Sequence, residues 1–465
     1  MITNEKKPVI VFGYDNWVVG GVEKVLGRIM EALLEKYNVV LVVPEQKEKR
    51  SFLVSEEIRK IELHEENDKS LSEQMIAAAK SVNAKVFIGN ANLNIDFLSA
   101  YKELKKEGIK SIMINHYQWF QPYMHEAYLS KIIEKRNDNI KYPDIVVWLT
   151  NISSYLCQKS SGRKVVTIGN INSYEEQNRI PWEEREKVIL TVARFDDPIK
   201  RLDQILSIFA KVHEMDKTIK LVVVGPVEYE TIYGIGLSEE LERMKIDSTS
   251  VTFEGEKEHI EEYYKKAKVF LFSSDAEGFG MVLNEAGCFG VPVVAKYYLG
   301  IEDIITDGEN GYLFDKSDEK GEKKAANKII EIISNKEKWD VMSEKSRELA
   351  KRFSKENIVG KWIKMIDSVC DEPADFEKSK YVPSENELAK CIEEYEDIIA
   401  NVVKRINRAD AGQNLLNDLY QKEKKKSITQ ASLKELKKEI FRRILEKIST
   451  SCKKKRILEL IYKIC

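Results

Sequence analysis

The sequence predicts an α/β protein with two parallel sheets in succession, each covered by helices, and a helical tail. Three observations predict this class. Short β-branched runs alternate with amphipathic stretches of helical period, and the alternation occurs in two successive series. The chain has 465 residues, which suits two or three domains. A composition with 43% hydrophobic and 33% charged residues supplies sizeable cores and excludes a disordered chain.

The first series begins with a strand at residues 8–13, a glycine-containing loop and an amphipathic helix, and a second strand follows at 38–43. Strand, helix and parallel strand together form a βαβ unit. Similar apolar runs are predicted as further strands of the same sheet: 84–90, 110–116, 143–150 and 164–170. Continuous apolar runs are typical of strands covered on both faces. We therefore predict a first Rossmann-like domain over residues 1–180.

The second series follows a polar stretch at 172–187 and begins with the strand VILTVAR at 188–194. Its other predicted strands are 220–225, 250–255, 268–274 and 291–296. We predict a second Rossmann-like domain over residues 181–350. Two such domains leave a crevice lined by the carboxyl ends of strands, where open α/β sheets bind ligands.

The remainder of the chain is predicted to be helical. A helix within 351–375 is expected to cross back to the first domain, and residues 376–465 are expected to form a basic helical extension. No repeat of the solenoid type is present.

Charge and cysteine usage exclude several classes of protein. The net charge of −2 argues against a polyanion-binding protein. The six cysteines are scattered without a CxxC pair or paired His ligands, which favours a reduced cytoplasmic protein without structural zinc. The N-terminal apolar run VIVF is too short for a secretory signal, and no run of about 20 apolar residues predicts a spanning helix.

The clearest chemical signal is SSDAEGFGMVLNEAGCFGVPVVA at 273–295. Glu277 and Glu285 lie eight residues apart, and a strand ends just before them while a helix is expected to begin near Gly280. Glycines let backbone amides approach a ligand, and a helix N-terminus favours a diphosphate. The two carboxylates suit sugar and ribose hydroxyls, because they are poor ligands for phosphate.

This stretch resembles the Glu-x7-Glu motif of retaining glycosyltransferases with the GT-B fold, in particular the GT4 family. The resemblance extends over residues 8–370. Further segments resemble that family in order and spacing: GGVEK (20–24), VARFDDPIKRLDQIL (192–206), KLVVVGP (220–226), SVTFEGE (250–256) and GIEDIITDGENGYLF (300–314). The resemblance implies two Rossmann-like domains facing a cleft and transfer of a sugar from a nucleotide-diphosphate donor.

Four catalytic residues follow from this resemblance. Arg194 and Lys200 are expected to stabilise the negative charge that builds on the departing diphosphate. The interval between them is six residues, where many members of the family have five, so Arg201 is an alternative to Lys200. Glu277 is expected to bind sugar hydroxyls. His116, at the end of a strand, is either a ligand of the donor sugar or acceptor, or a structural histidine.

The resemblance also assigns a donor-binding set, made of glycines, acids and the start of the motif helix. Its members are Gly20, Gly21, Gly225, Glu256, Gly278, Phe279, Gly280, Met281, Val282 and Glu285.

No Asp-x-Asp occurs at a strand end, so the metal ligands of the alternative GT-A route are missing. We therefore expect metal-independent activity without a cofactor, with a UDP-sugar as co-substrate. The resemblance implies retention of the anomeric configuration. A front-face mechanism is expected, and double displacement with Glu277 as nucleophile is the alternative.

The C-terminal residues 421–465 contain 15 Lys and Arg against 5 Asp and Glu, and the stretch 432–448 carries an apolar stripe at helical spacing. A basic amphipathic helix is typical of peripheral membrane binding, here at the inner face of the cell membrane. Alternatively, the stripe packs on protein while the charges face water. Nucleic-acid binding is disfavoured, because aromatic residues are not interleaved with the charges.

The sequence therefore predicts a cytoplasmic, metal-independent retaining glycosyltransferase. Its expected acceptor is a glycan, a lipid-linked sugar or another glycoconjugate, and its expected role is bacterial surface polysaccharide synthesis. One alternative is another chemistry on the same fold, such as a sugar-nucleotide epimerase. The other is a non-catalytic partner or acceptor-recognition subunit of a glycosyltransferase complex.

Overall fold

The structure of this protein is a computed structural model. It describes residues 7–18, 20–45, 52–64, 69–90, 95–120, 140–315, 319–370 and 381–394. The described residues form two parallel sheets with helices between the strands, so the predicted α/β class is confirmed. The predicted basic helices in 421–465 lie outside the described residues.

The first sheet has seven parallel strands in the order β3-β2-β1-β4-β5-β6-β7. Their bounds are β1 Val9–Gly13, β2 Asn38–Pro44, β3 Arg59–Leu63, β4 Val86–Asn90, β5 Lys110–Asn115, β6 Ile145–Trp148 and β7 Val165–Thr167. Successive residues of β1 face opposite sides of the sheet: Val11 packs in one apolar cluster, and Ile10 and Phe12 pack in another. Both faces are thus covered, as the continuous apolar runs predict.

Edge strand β3 was not predicted from the sequence. Its residues RKIEL include three charged side chains, and all five remain at least partly exposed. An edge strand covered by little protein needs no apolar run, so the pattern that identifies the central strands is absent here.

Among the described residues of the first domain, helices connect these strands: α1 Gly21–Leu33, α2 Leu71–Ser81, α3 Ile95–Lys106 and α4 Asn151–Ser161. Helix α2 begins with a capping box, in which the Ser70 hydroxyl accepts from the Glu73 amide and the Glu73 carboxylate accepts from the Ser70 amide. Helix α4 begins next to the second domain, where it meets the cleft.

The second sheet has six parallel strands in the order β10-β9-β8-β11-β12-β13. Their bounds are β8 Val188–Val192, β9 Lys220–Val224, β10 Val251–Gly255, β11 Val269–Phe272, β12 Val293–Lys296 and β13 Gly311–Phe314. The strand order reverses at β1 in the first sheet and at β8 in the second, and open α/β sheets bind ligands beside the loops at such a point.

Eight helices accompany the second sheet and the return of the chain. They are α5 Leu202–Met215, α6 Tyr229–Tyr233, α7 Leu237–Arg243, α8 Glu261–Lys266, α9 Met281–Cys288, α10 Glu319–Ser334, α11 Lys336–Ala350 and α12 Lys355–Cys370. None of the helices among the described residues is long and apolar enough to cross a membrane.

Helix α12 returns to the first domain and packs beside α1. Its Trp362 ring lies 6.4 Å from the Phe12 ring of β1, and Asp367 accepts a 2.6 Å hydrogen bond from the Tyr37 hydroxyl. Trp362 and Phe12 belong to an apolar cluster that also contains residues of the second sheet. The two domains therefore share one continuous core.

The segment 381–394 contacts both domains, and its residues 385–394 are helical. Gln118 of the first domain donates a 2.9 Å hydrogen bond to Glu394, and Cys391 is buried against the first-domain core. On the other side, Lys390 forms an ion pair with Asp315, which follows β13. This segment thus bridges the first and second domains.

Candidate active site

Two loops at the carboxyl ends of β8 and β11 are tied together. The Ser273 hydroxyl lies 3.0 Å from the carbonyl oxygens of both Lys200 and Arg201, and donates to them. The Asp275 amide donates to the carbonyl oxygen of Ile199 at 2.9 Å. The loop that carries the predicted cations is therefore fixed to the loop that carries the predicted acids.

The structure brings Lys200 and Glu277 into an ion pair. Their Nζ and Oε1 atoms lie 2.6 Å apart, and the two side chains are 19% and 17% exposed. A partly buried pair of this length is a charge-assisted hydrogen bond, stronger than one on the surface. Arg194 lies exposed at the start of the same loop. Its expected role at the diphosphate stays a prediction.

The alternative cation, Arg201, is engaged elsewhere. Its backbone adopts the left-handed conformation with φ 52°, and its guanidinium makes two 2.9 Å hydrogen bonds to Asp203. A longer contact of 3.4 Å reaches Asp275. Arg201 is thus bound to Asp203 and Asp275, whereas Lys200 pairs with Glu277. The geometry therefore favours Lys200 as the cation beside the motif, and the six-residue interval is accommodated by the short 3₁₀ turn Pro198–Lys200.

A buried lysine at the end of β12 was missed from the sequence. Lys296 is 2% exposed and forms an ion pair with Asp275. Asp275 also forms a longer ion pair, of 3.4 Å, with Arg201. Burial lowers the pKa of Lys296, while the charge of Asp275 opposes that shift. The sequence signal is the polar end of an otherwise apolar strand, VPVVAK. Ion pairs thus connect two cations and two acids next to the loop that carries Lys200: Lys296, Arg201, Asp275 and Asp203.

The glycines of the motif are required by close contacts. A Cβ atom on Gly278 would lie 1.8 Å from the carbonyl oxygen of His116 in the first domain. Gly280 has φ 90°, and a Cβ there would lie 2.4 Å from the Tyr298 hydroxyl. Gly280 is the N-cap of α9, so the helix begins where the sequence predicts. The contact at Gly278 is a direct backbone contact between the two domains.

Three further members of the predicted donor-binding set surround this turn. Met281 and Val282 are the first residues of α9 and are partly exposed, and the first N–H groups of a helix have no partner within it. Phe279 is 2% exposed and packs edge-on against Phe353 with ring centroids 5.0 Å apart. The Phe279 side chain lies in the interdomain core, so only its backbone is available to a donor.

His116 lies at the site through its contact with Gly278. Its Nε2 atom is 3.0 Å from the hydroxyl of Tyr14, which follows β1 and is 1% exposed. Burial lowers the pKa of His116 to about 4 and raises that of Tyr14 above its usual range. Both groups are therefore neutral at pH 7. Tyr14 was not singled out from the sequence, since one tyrosine after an apolar strand carries no chemical signal.

The first-domain glycines lie in a more open place. Gly20 is the N-cap of α1 in an extended conformation, and a Cβ on it would meet only the Glu23 carboxylate. A Cβ on Gly21 would meet nothing within 4 Å. Glu23 is 8% exposed, burial raises its pKa, and its carboxylate accepts hydrogen bonds from its own amide and that of Val18. The protein itself leaves space beside Gly21.

The predicted residues Gly225 and Glu256 lie at the ends of β9 and β10. Gly225 has φ 127°, and a Cβ there would lie 1.8 Å from the carbonyl oxygen of Ala193. Its amide donates to the carbonyl of Gly255 at 2.8 Å. Loop packing therefore accounts for the glycine at 225. Glu256 is exposed immediately after β10.

Glu285 lies within α9 and is 9% exposed. It accepts a 2.9 Å hydrogen bond from the Tyr264 hydroxyl, and the Ser173 side chain also bonds to it. Burial raises the pKa of Glu285, and the positive charges of Lys24 and Arg28 on α1 oppose that shift. The second acid of the motif thus lies within electrostatic reach of the first domain.

Together, the site combines groups suited to a diphosphate with groups suited to hydroxyls. A cation and a helix N-terminus favour phosphate oxygens, and two carboxylates and a neutral histidine can bind hydroxyl groups. Within the described ranges, no group of three or more His, Cys, Asp or Glu side chains is arranged to hold a metal ion. Metal independence stays a prediction.

Known proteins resemble this chain in sequence. Residues 172–349 match the family model described as glycosyl transferases group 1. N-acetyl-alpha-D-glucosaminyl L-malate synthase of Bacillus anthracis is 31% identical over 181 residues, which is 38% of this chain and 45% of that protein. An alpha-1,4-N-acetyl-D-galactosaminyltransferase of Campylobacter jejuni, named for an undecaprenol-linked acceptor, is 26% identical over 63% of this chain and 77% of its own length.

Solved structures resemble it in fold. The Anabaena protein Alr3699/HepE, in complex with UDP, matches 77% of this chain and 99% of its own with a TM-score of 0.64 and 16% sequence identity. At that identity the likeness concerns the fold alone. The predicted GT-B arrangement of two Rossmann-like domains facing a cleft is confirmed by it, and the family match confirms the resemblance stated from the sequence.

Proposed function

We propose that this chain, whose residues 172–349 match the glycosyl transferases group 1, transfers a sugar from a UDP-sugar with retention and without a metal. The enzyme class, glycosyltransferase, follows from the family match. The proposed acceptor is a glycan, a lipid-linked sugar or another glycoconjugate, and the proposed role is bacterial surface polysaccharide synthesis. The basic tail, 421–465, would bring the cytoplasmic enzyme to the membrane.

One observation carries the proposal. The Lys200–Glu277 pair lies beside the N-terminus of α9, where Gly278 contacts the backbone of His116. A cation and a helix N-terminus that are already oriented stabilise negative charge as it develops on a leaving diphosphate, with little reorganisation. When the donor arrives, the Lys200 ammonium can turn to a phosphate oxygen, and the released Glu277 carboxylate can accept from sugar hydroxyls.

The proposed chemistry is a front-face displacement. The bond between the anomeric carbon and the β-phosphate oxygen breaks, and the acceptor hydroxyl forms its new bond on the same face. The proton of that hydroxyl passes to the departing phosphate oxygen. Double displacement with Glu277 as the nucleophile is the alternative, and a trapped glycosyl-enzyme adduct at Glu277 would decide for it. The neutral His116 can donate or accept one hydrogen bond at the sugar.

The choice of UDP is supported by the solved neighbours, several of which are described as UDP complexes. Among UDP, GDP, ADP and dTDP, we expect UDP to raise the Tm most, because a ligand stabilises the native state by RT ln(1 + [L]/Kd). An acceptor of lipid-linked type is supported by the name of the Campylobacter relative.

The decisive experiment replaces both members of the pair. Lys200→Ala together with Glu277→Ala is expected to lower donor turnover by about 100-fold or more, because preorganised charges are typically worth about 2.7–4 kcal/mol. Lys345→Ala with Glu348→Ala is the control for loss of a second-domain lysine–glutamate pair, here exposed on α11 and 2.7 Å apart. Full turnover is expected in EDTA, because the proposed reaction needs no metal. NMR of the product is expected to show the same anomeric configuration as in the donor.

Two results would contradict the proposal. If donor turnover survived the double replacement, Lys200 and Glu277 could not have the roles that we propose for them. UDP binding without turnover on any acceptor would favour the alternative, a non-catalytic partner or acceptor-recognition subunit.

A further inference from the structure

Beneath the second acid of the motif lies a tyrosine whose orientation is fixed. Tyr264, on α8, is 0% exposed. Its ring is stacked on Phe289 with centroids 5.3 Å apart and planes 9° apart, and on Phe270 at 5.9 Å and 25°. A ring held by aromatic neighbours in this way has one orientation for its hydroxyl group. The phenol therefore points in a direction set by the core.

That hydroxyl contacts Glu285. It donates to Oε2 at 2.9 Å, and a longer contact of 3.5 Å reaches the carbonyl oxygen of Val282. Ser173, in the segment between the domains, bonds to the same carboxylate. A buried carboxylate that receives fixed donors is held in one rotamer, and the donors oppose the rise in its pKa that burial causes. Its remaining acceptor capacity can then serve a ligand in the cleft.

We propose that Tyr264 is a positioning residue of the donor site: its hydroxyl orients Glu285 to accept hydrogen bonds from the ribose hydroxyls of the nucleotide. This inference rests on the proposed function, in which Glu285 contacts the ribose. Tyr264 itself touches no substrate and acts through Glu285.

The groups around Glu285 determine how removal of the Tyr264 hydroxyl should change the pKa of Glu285. Burial raises its pKa, and the donors Tyr264 and Ser173 lower it. The titratable or charged groups that face it are Tyr264, Tyr174, Cys288, Lys24 and Arg28. Burial raises the pKa values of the two tyrosines and the cysteine, so these groups stay neutral near pH 7. Loss of one donor to the charged carboxylate therefore raises the pKa of Glu285 further.

The test is UDP binding by Tyr264→Phe, measured by calorimetry from pH 5 to pH 8. The replacement keeps the stacked ring and removes only the hydroxyl. We expect affinity for UDP about tenfold weaker at pH 7. We also expect the loss of affinity on acidification to begin at higher pH than in the wild type, because only ionised Glu285 accepts from both ribose hydroxyls. Ionisation of UDP is common to all variants, so the difference between proteins is the readout.

Tyr37→Phe is the matched control. Tyr37 is 1% exposed and donates to the Asp367 carboxylate at 2.6 Å, where α12 meets the first domain. Both replacements are expected to lower the Tm, since each removes a buried hydrogen bond. Only Tyr264→Phe should change the affinity for UDP and its pH profile, which a purely structural role would leave alone.

A second variant keeps the test independent of folding losses. Tyr264 replaced by 3-fluorotyrosine retains the ring and the hydroxyl but donates more strongly, so the acid loss of affinity should move to lower pH. Wild-type UDP affinity with an unchanged pH profile in both variants would overturn the inference and leave the proposed function intact. A wild-type protein that binds none of UDP, GDP, ADP and dTDP would overturn the proposed function, and the inference with it.

Discussion

Two of the contacts between the second domain and the first, here called the motif contact and the cap contact, differ in kind. At the motif contact, Gly278 lies against the carbonyl of His116, with the Lys200–Glu277 pair beside it. At the cap contact, Asp303 accepts from the amide of Asn151 at 2.6 Å and from its side chain at 2.8 Å. Asp303 thereby caps α4 of the first domain from across the cleft.

The difference concerns where charge is placed. At the motif contact the ion pair is partly exposed, and the histidine between the domains is neutral, so charge remains available to a ligand. At the cap contact, burial raises the pKa of Asp303 to about 6 and that of the neighbouring Glu302 to about 7. The cap contact therefore holds the domains together with partly buried acids whose charged forms are disfavoured. The motif contact is where we propose that the chemistry takes place, and the two contacts should respond oppositely to mutation and to acid.

The largest effect is expected from Gly278→Ala. Its Cβ would lie 1.8 Å from a backbone carbonyl oxygen, which cannot rotate away, so the two domains must separate locally at the motif contact. Displacement of reacting groups by about 1 Å can cost about 100-fold in rate, so kcat should fall by about that factor. UDP affinity should change much less, because the charges of the second domain remain in place.

Gly360→Ala is the control for this substitution. A Cβ at Gly360 of α12 would meet nothing within 4 Å, and alanine is favoured over glycine inside a helix. We expect unchanged kcat and a slightly higher Tm. If Gly278→Ala kept full activity, the motif contact would have no part in catalysis.

Prediction from the sequence worked best where chemistry and backbone are both written in one local stretch. The start of α9 at Gly280 follows from a strand, a glycine loop and a helix within a single motif, while the roles of Glu277 and Glu285 in that motif stay predictions. The central strands were equally readable, since each is a continuous apolar run. The choice between Lys200 and Arg201 was left open, because it depends on a left-handed backbone that no residue type reveals.

The partners of the site residues could not be predicted. Tyr14, Tyr264 and Lys296 lie far along the chain from the groups they contact, and each is an ordinary residue of its own strand or helix. Only the packing of separate elements brings them to His116, Glu285 and Asp275. Such pairs are properties of the tertiary structure, and a single sequence carries no signal for them.

An intermediate effect is expected from His116→Gln on acid stability. The folded pKa of about 4 lies below the ordinary value of 6.5, so the unfolded chain takes up a proton first as the pH falls. Stability is therefore lost progressively from pH 6.5 to pH 4, by about 2 kcal/mol at pH 5. Glutamine does not titrate and can still bond to the Tyr14 hydroxyl.

The measurement is the fall in Tm between pH 7 and pH 5. It should be smaller in His116→Gln than in the wild type by about 2–4 °C. His259→Gln, at an exposed histidine, serves as the control and should fall as the wild type does. An equal fall in all three proteins would show that His116 is not held neutral at the motif contact.

The smallest effect, and the opposite sign, is expected from Asp303→Asn at the cap contact. Because the folded pKa of about 6 exceeds the ordinary 3.8, the folded protein protonates first, and stability from this group rises as the pH falls from 6 towards 3.8. At pH 7.5 the wild type instead holds the partly buried negative charge of Asp303, and asparagine removes that charge. Asparagine can still cap α4 if the side-chain amide of Asn151 rotates. We expect a Tm gain of about 1–3 °C at pH 7.5 that disappears by pH 4.

Asp307→Asn, at an exposed aspartate that accepts from the Leu313 amide, should show no such pH-dependent gain. A loss of Tm at pH 7.5 in Asp303→Asn would mean that the charge itself stabilises the cap contact, and the contrast between the two contacts would then fail.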